Sequence, residues 1–226
     1  MPDNAAAKAL ETHRRLLAYY GEPDLKERRD PLSELVVTIL SQNTADVNTA
    51  RAYRSLRERF ATWEEVLEAP VGALEDAIRT AGLANTKAPR IHRILEDLHR
   101  ERGSLDLDFL DAMSTEEARD YLMALHGVGP KTAACVLLFS LHKPALPVDT
   151  HVHRVSLRVG LVPPRTTPEK TQQLLEGMLP PALYYPFHLN VIRHGRTLCT
   201  AARPRCRECP LATVCDYAAA SASCAL

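Results

Sequence analysis

Apolar residues recur at three- and four-residue spacing along nearly the whole chain, and no stretch sustains the alternation of a half-buried strand. The pattern predicts an all-α protein with short connections. Leu10, Leu16 and Leu17 mark a first helix. Asp30 followed by Pro31 reads as an N-cap and first helical position, with Leu35, Val36, Ile39 and Leu40 as the core stripe behind it. A third helix is expected over Asp46 to Phe60, with Ala50, Tyr53 and Leu56 on one face. Thr62 and Glu65 have capping-box spacing, as do Ser114 and Glu117. Helices are expected over Val71–Thr80, stopped at Gly82, over Lys87–Arg102, stopped at Gly103, and over Ala118–Leu125. An apolar helix should run from Lys131 to Leu141, then His151–Val159 up to Gly160, a helix capped by Thr167-Pro168 as far as Leu179, and Tyr184–Leu198. No internal repeat, low-complexity tract or long linker is visible.

The chain has 226 residues, enough for one large domain or two small ones, and its 46% apolar and 25% charged content is that of a soluble globular protein. No apolar run approaches a membrane span, and Met1 to Leu10 lacks a basic patch followed by an apolar core. An intracellular, reducing location is the expectation. Net charge is zero, which argues mildly against a nucleic-acid partner. Locally, however, five arginines (193, 196, 203, 205 and 207) fall in one window without Asp or Glu. Such a patch can hold phosphates on a neutral protein. On charge alone, a solvated face is the simpler reading.

Six cysteines in a reducing compartment do not suggest a disulfide framework. Cys199, Cys206, Cys209 and Cys215 follow a C-x6-C-x2-C-x5-C spacing, which suggests one metal centre. A four-cysteine zinc site is the rival, although zinc sites more often use two separated C-x2-C pairs. Arg203, Arg205 and Arg207 lie inside the same loop, so a metal there would also stiffen a basic segment.

Two further segments carry candidate chemistry. In Leu125-His126-Gly127-Val128-Gly129-Pro130-Lys131-Thr132-Ala133, glycines two apart join two helices. The amides of such a turn can bind an anion at a helix start. Lys131 in the first turn opposes the helix dipole, at a cost on the order of 0.3–1 kcal/mol. That field favours the neutral amine, a nucleophile able to form a Schiff base. In Pro147-Val148-Asp149-Thr150-His151, Asp149 is placed either as a plain N-cap or as a carboxylate that stabilises positive charge and moves a proton. His151 and His153, two apart on a helix, point to different faces and do not form a metal pair.

The motifs LHGVGPKTA (Leu125 to Ala133), LPVDTHVHRV (Leu146 to Val155) and the four spaced cysteines together resemble the endonuclease III family, within the helix-hairpin-helix glycosylases, from about Leu32 to Cys215. The resemblance implies two helical domains with DNA bound in the cleft between them. Residues 24–143 would form a six-helix domain carrying the hairpin, and residues 1–23 with 144–226 a discontinuous domain holding a 4Fe-4S cluster on the four cysteines. It implies base-excision repair of double-stranded DNA with a damaged base or abasic site, by a monomeric cytoplasmic enzyme. Lys131 would attack C1′ of a flipped nucleotide, Asp149 would stabilise the cationic sugar, and β-elimination would nick the strand. Gly127, Val128, Gly129 and Thr132 of the hairpin, with Arg203 and Arg205, would contact DNA. Leu83, in Gly82-Leu83-Ala84-Asn85-Thr86-Lys87, would be a wedge into the duplex; an ordinary core leucine is the alternative. In Ser41-Gln42-Asn43-Thr44, family members place glutamine at the position of Asn43, whereas here glutamine stands one residue earlier. Either Gln42 or Asn43 would then fill the gap left by the flipped nucleotide. A mismatch uracil or thymine glycosylase and a catalytically weak 4Fe-4S damage sensor are the alternative functions.

Overall fold

The computed structural model describes residues 2–24 and 29–223. The described residues form helices and connections, with no strand among them. The chain divides into two compact units, one comprising Met1–Lys26 with Pro144–Leu226 and the other Glu27–Lys143.

The second unit holds α2 (Pro31–Ser41), α3 (Asp46–Arg59), the short α4 (Trp63–Glu68) and α5 (Val71–Ala77), α6 (Ala84–Arg102), α7 (Thr115–Ala124) and α8 (Pro130–Phe139). Its start is set by Asp30, whose Oδ1 accepts the Ser33 amide at 2.8 Å, and by Pro31 at the first helical position. Leu35, Val36, Ile39 and Leu40 are buried as the periodicity predicts, and α2 packs on α8. The expected face of α3 is rotated. Thr49, Ala52 and Leu56 are buried, Tyr53 is half-buried and Ala50 is exposed, so the stripe starts one residue earlier than Ala50 suggests. Ser114 and Glu117 close a full capping box at α7. At α4, Thr62 Oγ1 accepts the Glu65 amide, while the Glu65 carboxylate accepts from Ala61 rather than from the cap residue itself.

Two boundaries in this unit depart from expectation. The helix expected to reach Thr80 ends at Ala77 and continues as a 3-10 turn over Arg79–Ala81. α6 begins at Ala84, three residues early, from Leu83 in the left-handed region at φ 51° with no side-chain cap.

The first unit holds α1 (Pro2–Tyr20), α9 (Thr150–Val159), α10 (Pro168–Met178), α11 (Tyr184–Thr197) and α12 (Asp216–Ser223). α11 packs against both α1 and α9. Gly160, at φ 85°, ends α9 where a Cβ would meet the Asp216 carboxylate. That carboxylate also pairs with Lys8 at 2.6 Å, tying α12 to α1. α12 itself was not anticipated by the apolar periodicity. Cys224 lies outside the described residues. No described helix is long and apolar enough to cross a membrane.

Candidate active site and metal centre

The hairpin between α7 and α8 is a turn that glycine alone satisfies at its first position. Gly127 has φ 72°, and a Cβ there would lie 2.6 Å from Arg90 Nε. Val128 is turned inward: its side chain is buried and its amide donates to Leu125 O at 3.1 Å. Gly129 is extended, with open space where a side chain would stand, and serves as the N-cap of α8. Pro130 takes the first helical position, which puts the amides of Lys131 and Thr132 among the donors a helix start leaves without an intrahelical acceptor. Lys131 is half-buried, and its Nζ makes no hydrogen bond or ion pair among the described residues. Thr132 is buried, with its hydroxyl 3.4 Å from Gln42 Nε2.

That contact distinguishes the two residues of the Ser41–Thr44 turn. The Gln42 carboxamide is held inside the unit, its Oε1 accepting from Arg90 Nη1 at 2.8 Å. Asn43 is exposed and lies in the left-handed region at φ 53°. Leu83 is no core leucine: 55% of it is exposed, on a backbone of the same unusual hand.

Between these turns lies a residue that the sequence analysis read only as a helix start. Lys87 is 2% exposed. Its ammonium donates to Leu40 O at 2.8 Å, Thr44 Oγ1 at 2.8 Å and Ala81 O at 2.9 Å, so each of its three N–H groups has an acceptor. Burial holds its pKa below the ordinary lysine range, and the nearby Arg90 charge adds to the effect. A signal was present in the sequence. Lys87 stands in register with the buried Ile91, Ile94, Leu95 and Leu98, on the apolar stripe of α6.

In the other unit, Asp149 is the N-cap of α9. Its Oδ1 accepts the amides of His151 at 2.9 Å and Val152 at 2.8 Å. Its Oδ2 makes no hydrogen bond among the described residues. The side chain is therefore oriented as a cap while one oxygen stays available, so the two readings of Asp149 are compatible. His151 contacts Arg154 and His153 contacts Thr171, as expected of histidines on different faces.

The cysteine segment follows α11. Cys199, Cys206, Cys209 and Cys215 line one pocket, together with Arg158 and His194. Among the described residues no three His, Cys, Asp or Glu side chains are grouped so as to hold a metal ion. Burial pushes the Cys209 thiol up to about 11, with the neighbouring cysteines adding to it, and raises Cys215 in the same way. Thiols raised in this way would give up their protons on binding a metal. Arg158 Nη1 lies 3.4 Å from Cys199 Sγ, and His194 Nε2 lies 3.4 Å from Cys209 Sγ. His194 is buried, and desolvation lowers its pKa to about 4.

The basic loop is less uniform than its composition suggests. Arg205 is spent inside the loop, on Glu208 at 3.2 Å and Thr197 O at 3.1 Å. Arg203 is exposed, and its guanidinium makes no hydrogen bond or ion pair among the described residues. Glu208 lies one residue beyond the acid-free window, which is why counting charge missed the pairing.

Residues 36–181 match the HhH-GPD superfamily of base excision DNA repair proteins. The chain is 38% identical over 195 residues to endonuclease III of Thermotoga maritima, covering 86% of this chain and 87% of that protein. It is also 38% identical to a putative DNA glycosylase of Arabidopsis thaliana, over 82% of this chain but only 66% of the relative's length. A solved structure of a trapped endonuclease III–DNA covalent intermediate matches with a TM-score of 0.80 and 26% identity, over 98% of this chain and 99% of that one. By sequence and by fold, the chain belongs to the HhH-GPD superfamily of base excision DNA repair proteins and, within it, to the endonuclease III family.

Proposed function

We propose that this chain is a bifunctional DNA N-glycosylase and AP lyase that removes damaged pyrimidines from double-stranded DNA, with Lys131 as nucleophile. The observation that carries this reading is the Lys131 amine itself. It stands in the first turn of α8, beside a glycine turn with open space at Gly129, and nothing among the described residues engages it. The hairpin amides and the helix start favour a backbone phosphate nearby. Flipping the damaged nucleotide out costs a few kcal/mol of stacking and pairing. The deprotonated Nζ attacks C1′, and the base leaves with the bonding electrons and a proton. Asp149 supports the positive charge that develops on the sugar and assists proton transfer. Ring opening yields a Schiff base on Lys131. Loss of a C2′ proton then expels the 3′ phosphate and nicks the strand. The relative trapped as a covalent DNA intermediate is consistent with this chemistry. Asn43 is the residue offered to the gap left by the flipped nucleotide, since Gln42 is held by Arg90 and Thr132.

Cys199, Cys206, Cys209 and Cys215 fit a 4Fe-4S cluster. The four cysteine side chains line one pocket, and four thiols are the donor set that such a cluster takes. When bound, such a cluster supplies four covalent ties and one-electron redox capacity; no step above passes through it. Iron and acid-labile sulfide should copurify with the chain in equal amounts, and Cys206→Ala should lose both along with the brown colour. Zinc in their place would remove the cluster.

The test of the catalytic reading is covalent trapping. Borohydride is added to the protein with duplexes carrying one abasic site, one thymine glycol or one uracil, and the adduct is mapped by digestion. An adduct on the peptide containing Lys131 is expected with the abasic and thymine glycol duplexes. An adduct on another lysine would replace Lys131. No adduct from protein that binds these duplexes would make the chain a lysine-independent glycosylase or a catalytically silent DNA-binding relative.

A further inference from the structure

Lys87 sits where leucine or isoleucine would complete the apolar stripe of α6, yet it is a charged side chain that is 2% exposed. Desolvating an ammonium is unfavourable unless each donor is matched, and here three oxygens match it. The three come from two separate turns. Leu40 O belongs to the C-terminal end of α2, where helix carbonyls lack intrahelical partners, and Thr44 closes the turn that follows. Ala81 O ends the 3-10 turn before Gly82. Thr44 Oγ1 also bonds Ala81 O directly, so ammonium, hydroxyl and carbonyl form one closed set. Each turn carries an exposed non-glycine residue of left-handed backbone, Asn43 at φ 53° and Leu83 at φ 51°. Residues held in this region persist where their surroundings over-determine them.

We propose that Lys87 is a positioning residue that locks the Ser41–Thr44 turn and the Arg79–Leu83 turn into one rigid platform, so that Asn43 and Leu83 enter the DNA duplex as a unit. This rests on the reading of the chain as a DNA glycosylase. The platform lies wholly within the unit Glu27–Lys143. Lys87 touches no DNA. It acts by holding two carbonyls and a hydroxyl at fixed separation.

The test reads insertion directly. A duplex carries a stable tetrahydrofuran abasic analogue opposite 2-aminopurine, whose fluorescence rises when it is unstacked. The rise is measured at saturating protein for wild type, Lys87→Met and Thr44→Val. Loss of folded fraction changes the amount of protein needed to saturate, but it does not change the plateau. The plateau rise should fall by about threefold or more in Lys87→Met, and Leu83→Ala should add little on top of it, since the two act through one platform. Thr44→Val removes one acceptor and leaves two, so it serves where Lys87→Met fails to fold; its plateau should also fall. A wild-type plateau in both variants would make Lys87 a packing residue only. Wild-type binding without any rise would show that neither turn enters the duplex. That result overturns the platform and leaves the lyase reading intact, because the lyase is tested separately by trapping.

Discussion

α6 and α8 start in similar ways and put their lysines to opposite uses. Neither start has a side-chain cap: α6 follows Leu83 in the left-handed region at φ 51°, and α8 follows Gly129 in extended backbone. Each carries a lysine early, Lys87 and Lys131. Lys87 is buried and its ammonium is tied to three oxygens, whereas Lys131 is half-buried with its amine unengaged among the described residues. Burial, and then Arg90, depress the pKa of Lys87, yet its buried ammonium cannot reach a substrate. A perturbed pKa therefore marks a functional candidate only when the group has somewhere to go. Available acceptors decide the outcome: a lysine surrounded by carbonyls becomes a pin, and one left beside open backbone can be a nucleophile.

The largest effect should separate the two lysines by chemistry. Lys131→Gln should abolish borohydride trapping on abasic DNA while duplex affinity stays in the wild-type range, and Lys87→Met should still give the adduct. A trapped adduct in Lys131→Gln would break the comparison. Next comes stability. Lys87→Met removes three hydrogen bonds, leaving Leu40 O without its donor, and should cost about 3 kcal/mol, which for a chain of this size lowers Tm by roughly 6–12 °C. Calorimetry on both variants checks this, with Lys131→Gln expected to move Tm far less. The same contrast of spent and free cations separates two arginines. Arg203→Ala should reduce the salt slope of DNA binding by about one. Arg205, bonded to Glu208 and Thr197, should affect the cysteine loop more than the slope. Equal slopes for the two variants would remove the distinction. The smallest effect is in pH. The folded pKa of Lys87 lies below its unfolded value of 10.5, so over the interval between them the unfolded chain binds more protons. Stability contributed at this site then rises with pH, and the gap between wild type and Lys87→Met should widen as pH is raised toward the unfolded value. A narrowing gap would mean that the three hydrogen bonds outweigh desolvation.

What could be read from the sequence was what local chemistry determines. Asp30, Thr62, Ser114, Thr167 and Asp149 all cap the helices expected of them, because a short polar side chain before an apolar run has few better uses. Gly103 and Gly160 end helices at positive φ, as placed. The start of α6 was missed because it has no capping side chain; a left-handed leucine leaves no such signature. The face of α3 differs because Ala50 and Tyr53 each stand one residue past the buried Thr49 and Ala52, with only Leu56 shared, and alanine carries little hydrophobic signal. α12 went unseen because its alanines and serines show no apolar stripe. At the candidate site, the hairpin and the spaced cysteines single out Lys131 and the four thiols, whereas Asp149 reads on spacing alone as an N-cap and becomes a catalytic candidate only through the family resemblance. The role of Lys87 depends on oxygens 6 and 47 residues away in the chain, and no local pattern encodes it.

The three-way clasp at Lys87 also bears on how such a protein can change over generations. One ammonium serves two turns, so neither turn can drift alone without leaving an acceptor stranded. They should pass between lineages as a cassette: a chimera that imports the Ser41–Thr44 turn from a relative with a different lesion preference should need the Arg79–Leu83 turn and the matching lysine from the same donor.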